Sequence, residues 1–136
     1  EAYQLATRLT ERAANAQAVN TLKFDRQEIL GDNTDGAGLV RDIEYNLGIP
    51  FANKRILLMG AGGAARGVML VYDMMYGPDL TRFLKYAQQH GAQRLADGLG
   101  MLVEQAAESF FIWRGIRPQT HPVISMLQSR ENPAHQ

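Results

Sequence analysis

Apolar residues recur along the chain in three rhythms, and each change of rhythm marks a new element. Leu5, Ala6, Leu9 and Ala13 fall at helical spacing, so residues 2–16 predict one helix or two short ones, with Thr10 placed to cap the second. Alternation follows. Ala18 to Leu22 and Glu28 to Leu30 flank Asp25-Arg26, the pattern of a β-hairpin ending at Gly31. Asp32-Asn33-Thr34-Asp35-Gly36 is a polar loop, and Thr34 or Asp35 can cap a helix with apolar positions Leu39, Ile43 and Leu47, closed by Gly48.

The third rhythm is a continuous apolar run. After a turn over Ile49 to Lys54, residues 55–59 predict a buried strand, and Ile56-Leu57-Leu58-Met59 feeds directly into Gly60-Ala61-Gly62-Gly63-Ala64-Ala65-Arg66-Gly67. A strand running into a glycine-rich turn at a helix start lets backbone N–H groups approach a pyrophosphate at the positive end of a helix dipole. The same glycines serve close helix–strand packing, so the motif alone leaves a dinucleotide site and a packing turn both open.

Only Val68-Met69-Leu70 separates this turn from Val71-Tyr72, about two helical turns where a nucleotide-binding unit needs three or four. Asp73 and Asp79 fall in the window for a ribose-binding acid, but neither ends a clean strand. Thr81 then caps a helix bearing Phe83, Leu84 and Ala87 that stops at Gly91, and Gln93 to Leu95 is a short strand. Asp97 or Gly98 opens the longest helix, with a core stripe of Leu99, Leu102, Val103, Ala106, Phe110 and Trp113. A last helix starts near Pro122 with Val123, Ile124 and Leu127, before a polar tail.

Composition narrows the function classes. The 136 residues, 46% hydrophobic, suffice for one sizeable core. Fourteen basic and fourteen acidic residues cancel without forming blocks, which points away from nucleic acid or an anionic membrane and toward a small-molecule ligand. Cysteine is absent and His90, His121 and His135 lie far apart, so no metal site is expected. No apolar stretch reaches membrane-spanning length and no signal pattern opens the chain, so the expected compartment is the cytoplasm.

Four phrases in order, Ala18 to Leu22, Gly31 to Gly36, Gly60 to Gly67 and Asp97 to Ala107, resemble the shikimate dehydrogenase family; Tyr72 to Gly77 and Ala107 to Pro118 extend the likeness over nearly the whole chain. The resemblance implies an α/β fold, the remnant of a two-domain enzyme, with residues 1–35 and 98–136 in the substrate domain and 36–97 in a shortened Rossmann domain. It implies reversible, NADPH-dependent reduction of 3-dehydroshikimate to shikimate in aromatic amino-acid biosynthesis. It also implies two departures: an N-terminal half with the catalytic lysine is not represented, and a segment gripping the 2′-phosphate of NADP is absent between Leu70 and Val71.

The roles implied by resemblance are specific. Asp35 is the catalytic carboxylate and, with Asn20, Tyr76 and Gln105, contacts substrate. Gly60, Ala61, Gly62, Gly63 and Ala64 form the pyrophosphate turn. Met74, Gly98 and Met101 flank the nicotinamide, and Glu11 is a fainter cofactor contact. Read without the family, Asp35 is a helix cap, Asn20 a turn residue, Gln105 a polar flank and the methionines core filler. A quinate-using or dual-specificity relative shares every motif, and a non-catalytic dinucleotide-binding remnant shares the glycine turn. A shortened sheet also leaves strand edges that favour a homo-oligomer.

Overall fold

The computed structural model describes residues 1–52 and 71–131. The expected strand 55–59, the turn Gly60 to Gly67 and the tail 132–136 lie outside the described residues. Over residues 2–16 there are two short helices, α1 (Ala2–Leu5) and α2 (Glu11–Ala16), with strand β1 (Arg8–Leu9) between them. A two-residue strand shows no alternation, which is why the helical spacing concealed it. Thr10 caps α2 as expected, its hydroxyl accepting from the Ala13 N–H at 3.3 Å.

The second strand of the hairpin starts at Glu28 as the alternation placed it and runs on to Asp32, whereas the first lies three residues further along. Strands β2 (Thr21–Asp25) and β3 (Glu28–Asp32) pair antiparallel from Thr21 opposite Asp32 to Asp25 opposite Glu28. Arg26 in the connecting turn has φ of 33°, in the left-handed region. Strand β1 adds in parallel on the other side of β3, giving the order β1-β3-β2. The polar loop shrinks to Asn33-Thr34, and helix α3 (Asp35–Arg41) continues into a π-helical turn over Asp42–Asn46, with Gly48 beyond it at φ of 66°.

Strands β4 (Val71–Tyr72) and β5 (Leu95–Ala96) form a second, parallel sheet, flanked by helix α4 (Arg82–Gln89). Val71, Leu84 and Ala87 form its core, with Phe83, Ala92 and Leu95 against them. Thr81 caps α4 and Gly91 follows it at φ of 87°.

Helix α5 (Leu99–Arg114) runs against α3 and corrects the expected core stripe. Leu99 and Val103 are buried, but Ala106, Phe110 and Trp113 are exposed, and the buried face is completed by Gly100, Glu104, Ala107 and Ser109. Close approach of α3 decides this: a Cβ on Gly38 would lie 2.7 Å from Gln105 Cβ, so the contact admits small and polar groups in place of large apolar ones. Trp113 instead donates its indole N–H to the Leu22 carbonyl of β2 at 2.9 Å. Helix α6 (His121–Glu131) buries Ile124, while Val123 stays exposed.

Candidate functional site

The register of the hairpin decides what faces the start of α3. Because Thr21 sits opposite Asp32, Asn20 falls just beyond the last strand pair, and its N–H extends the ladder to the Asp32 carbonyl at 3.1 Å. Its side-chain amide donates to Asp35 Oδ1 at 2.8 Å and to Gln105 Oε1 at 3.1 Å. Three of the four expected substrate contacts, separated by 15 and 85 positions along the chain, thus form one hydrogen-bonded group. Gln105 reaches it because glycine at 38 lets α5 approach α3. Asp35 occupies the first turn of α3, where aligned peptide dipoles favour a carboxylate.

The far side of the Asn20 amide is held by groups that sequence reasoning passed over. Asn20 Oδ1 accepts from the Thr34 N–H at 3.0 Å and faces the hydroxyls of Thr21 at 3.0 Å and Thr34 at 3.2 Å. Both hydroxyls also meet Ser109 Oγ, at 2.7 and 3.2 Å. Thr34, expected as a cap, stands at the N-cap of α3 without a side-chain capping bond, its hydroxyl turned to Asn20 instead. One sequence signal could have flagged Ser109: it follows Gln105 by one helical turn and so shares its face of α5.

Behind the loop lies an ion-pair network. Arg12 donates to both carboxylate oxygens of Asp32 at 2.7 Å and to Glu108 at 3.1 Å, and Arg117 pairs with the other oxygen of Glu108. Burial pushes the Asp32 carboxyl up, but Arg12, the Thr10 hydroxyl and the Asn33 N–H outweigh it and hold it below the usual carboxylate range. Glu108 is likewise raised by burial and lowered further by Arg117 and Arg12, ending below its ordinary value. A cavity of about 550 Å³ opens beside this network, lined by Arg12, Asn33, Tyr45, Glu108 and Arg117 among others, and by none of Asn20, Asp35 or Gln105. Its arginines are already matched by Asp32, Glu108 and Glu104, so it offers no excess charge to a ligand.

The expected cofactor residues divide. Met74 and Gly98 meet through the backbone, where a Cβ on Gly98 would lie 2.0 Å from the Met74 carbonyl oxygen, and the Gly98 N–H donates to the Met75 carbonyl at 3.0 Å. Met101, half-buried in the first turn of α5, meets Tyr72 through its backbone. Tyr72 donates to Asp42 Oδ2 at 2.8 Å, and burial together with that carboxylate holds its proton well above the ordinary tyrosine range. Tyr76 is exposed and hydrogen-bonds to none of Asn20, Asp35 or Gln105. Glu11 is exposed in the first turn of α2. Gly60 to Ala64 lie outside the described residues.

Comparison with known proteins follows the same lines. Residues 98–125 match the family model for the shikimate 5′-dehydrogenase C-terminal domain. The chain is 45% identical to a shikimate dehydrogenase (NADP(+)) of Nitrosospira multiformis, over 95% of this chain and 74% of that protein. It is 43% identical to one of Dechloromonas aromatica, over 96% and 74%. The first alignment spans 203 residues, more than the 136 present here, so that relative carries an internal stretch without a counterpart in this chain. Among solved structures, an Ael1 enzyme from Pseudomonas putida superposes with a TM-score of 0.83 at 35% identity, covering 93% of this chain and 73% of that one. The shikimate 5-dehydrogenase of Thermus thermophilus, solved in complex with shikimate, shares the fold at a TM-score of 0.78 and 22% identity, over 96% and 74%. The α/β chain described above therefore belongs to the NADP-dependent shikimate dehydrogenase family.

Proposed function

We propose that this chain supplies the carboxylate and amides that hold the substrate of an NADP-dependent shikimate dehydrogenase, the reversible reduction of 3-dehydroshikimate to shikimate. The observation that carries this reading is the convergence of Asn20, Asp35 and Gln105 in a chain of that family. The free valences point the same way. Both amide hydrogens of Asn20 are engaged, whereas Asp35 Oδ2 and the Gln105 Nε2 group have no hydrogen-bond partner among the described residues. An acceptor and a donor side by side suit a polyol ring with adjacent hydroxyls, and a hydroxyl arriving between them replaces the longer Asn20 to Gln105 bond.

On this reading Asp35 accepts the proton-bearing hydroxyl of the substrate and orients it, Gln105 donates to a neighbouring oxygen, and Tyr76 swings onto the ring from its exposed loop. Met74, beside the Gly98 backbone, presents an exposed apolar surface that fits a flat nicotinamide, and Met101 in the first turn of α5 completes the apolar margin. When bound, the cofactor supplies or accepts the hydride. The glycine turn Gly60 to Ala64 holds its pyrophosphate, and Glu11 lies at the margin of the site. Residues 1–35 and 98–136 form the substrate half and 36–97 the cofactor half. Binding is the property to measure, because substrate affinity reports directly on Asn20, Asp35 and Gln105.

Titrating shikimate into ¹⁵N-labelled protein tests the reading, with quinate, NADP and NAD titrated in parallel. The expected result is saturable movement of the Asn20 and Gln105 side-chain amide signals with shikimate, and affinity lowered by ~10-fold or more in Asp35→Asn, the change expected from loss of a charge-assisted hydrogen bond. Amide signals that stay in place at millimolar shikimate would overturn it.

A further inference from the structure

We infer that the buried hydroxyls of Thr21, Thr34 and Ser109 are positioning residues of this site, fixing the Asn20 amide with its carbonyl inward and its NH₂ toward Asp35 and Gln105. The inference rests on the substrate reading above only for its consequence in binding. Thr34 is fully buried, Thr21 is 2% exposed and Ser109 9%. Their oxygens form a closed set with the Asn20 carbonyl, and Ser109 in turn donates to the Gln105 carbonyl at 3.0 Å. A continuous polar path therefore runs from the turn of α5 that presents Gln105 to the amide that Gln105 contacts.

The donors and acceptors admit one orientation of that amide. Rotating it by half a turn would set its NH₂ against the Thr34 N–H, donor against donor, and its carbonyl against the Asp35 carboxylate, acceptor against acceptor. Each hydroxyl has a single proton to share between two acceptors. Ser109 can donate to the Gln105 carbonyl while accepting from one threonine, leaving the other threonine to donate to Asn20. A simple packing role would be met by apolar isosteres at these positions, since a buried hydroxyl is favourable only when satisfied. Thr34 carries the argument furthest, because its hydroxyl forgoes the usual N-cap bond of α3 and is spent on Asn20.

The test compares Thr34→Val, which removes the hydroxyl at constant shape, with Thr34→Ser, which keeps it, and with Ser109→Ala. The Asn20 side-chain signals and the shikimate and NADP affinities are read on each. Thr34→Val and Ser109→Ala are expected to displace the Asn20 signals and weaken shikimate ~10-fold, the loss of about one net hydrogen bond, with NADP affinity unchanged; Thr34→Ser restores both readouts. Asn20 signals unmoved in either folded variant would overturn the inference, and Ser109→Ala decides it alone should Thr34→Val fail to fold. If wild-type protein ignores shikimate while Thr34→Val still displaces the Asn20 signals, the substrate reading falls and the positioning role stands.

Discussion

Around the three-stranded sheet the buried side chains include Thr21, Asp32, Thr34, Asp42, Glu104 and Ser109; around β4 and β5 they are Val71, Leu84 and Ala87. The first region adds these directional contacts to an apolar core of Ala13, Ile43, Leu99, Val103, Ala107 and Ile124, whereas the second is held by apolar burial. Apolar burial is non-directional and tolerates small rotations, whereas a hydrogen bond weakens steeply when its angle is lost. The region that must present Asn20, Asp35 and Gln105 at fixed angles is the one that adds buried directional contacts to its apolar core. Its cost is sensitivity, since a buried polar group left without its partner is penalised far more than an apolar side chain trimmed by a methyl group.

The comparison breaks most sharply at Arg12. Arg12→Leu leaves the Asp32 carboxylate, 5% exposed, with only the Thr10 hydroxyl and the Asn33 N–H, and removes one of two cations from Glu108. The guanidinium is itself partly exposed, which places the expected loss at the low end for a broken buried pair, about 3 kcal/mol by denaturant unfolding. Acid weakens the same network without mutation. Asp32 and Glu108 both titrate below their ordinary values of 3.8 and 4.5, so their contribution is complete above those values and is lost as pH falls through the lowered ones. Wild-type stability should drop below about pH 4.5 with a slope that is shallower in Arg12→Leu; equal slopes would separate the network from acid unfolding.

In the apolar region the corresponding change is Leu84→Ala. Leu84 is fully buried, and its truncation is expected to cost about 2 kcal/mol, the low end for leucine, because a small core under one short helix can collapse around the gap. The Asn20 and Gln105 amide signals should stay in place while amide exchange accelerates in α4 and β4. Loss of the Asn20 signals in this variant would show that the two regions do not fail separately.

How far each region could be read beforehand follows from the same distinction. Helix α4 was legible with its cap and stop, because Thr81, Leu84, Ala87 and Gly91 obey a local period. The hairpin was legible from alternation, with its first strand placed three residues early and its second starting at Glu28 as expected. The buried face of α5 was legible only at Leu99 and Val103, because Gly100, Glu104 and Ser109 carry no apolar signal and the exposed Phe110 and Trp113 supplied a false one. Contacts such as Arg12 on α2 with Asp32 on β3, 20 positions apart, have no sequence period at all. Asn20, Asp35 and Gln105 emerged only through likeness to a family; of the hydroxyls behind Asn20, that of Ser109 carried a signal, one helical turn after Gln105, whereas Thr34 read as a cap and Thr21 as a strand residue.

Tyr72 sharpens the comparison where the regions meet. It lies on β4, yet its hydroxyl donates to Asp42 on the π-helical turn, whose other oxygen accepts from Asn46 at 2.7 Å. Tyr72→Phe keeps the ring in the apolar unit and removes only the donor, leaving Asp42 Oδ2 with one partner fewer in a position 3% exposed. The expected loss is about 1 kcal/mol, the smallest of the three, since the hydrogen bond is single and Asn46 still holds the other oxygen. Combined with Leu84→Ala it should cost less than the two changes added separately, because a loosened β4 already releases the tyrosine. Strict additivity would mean instead that Asp42 holds Tyr72 in place whatever becomes of the apolar core beneath it.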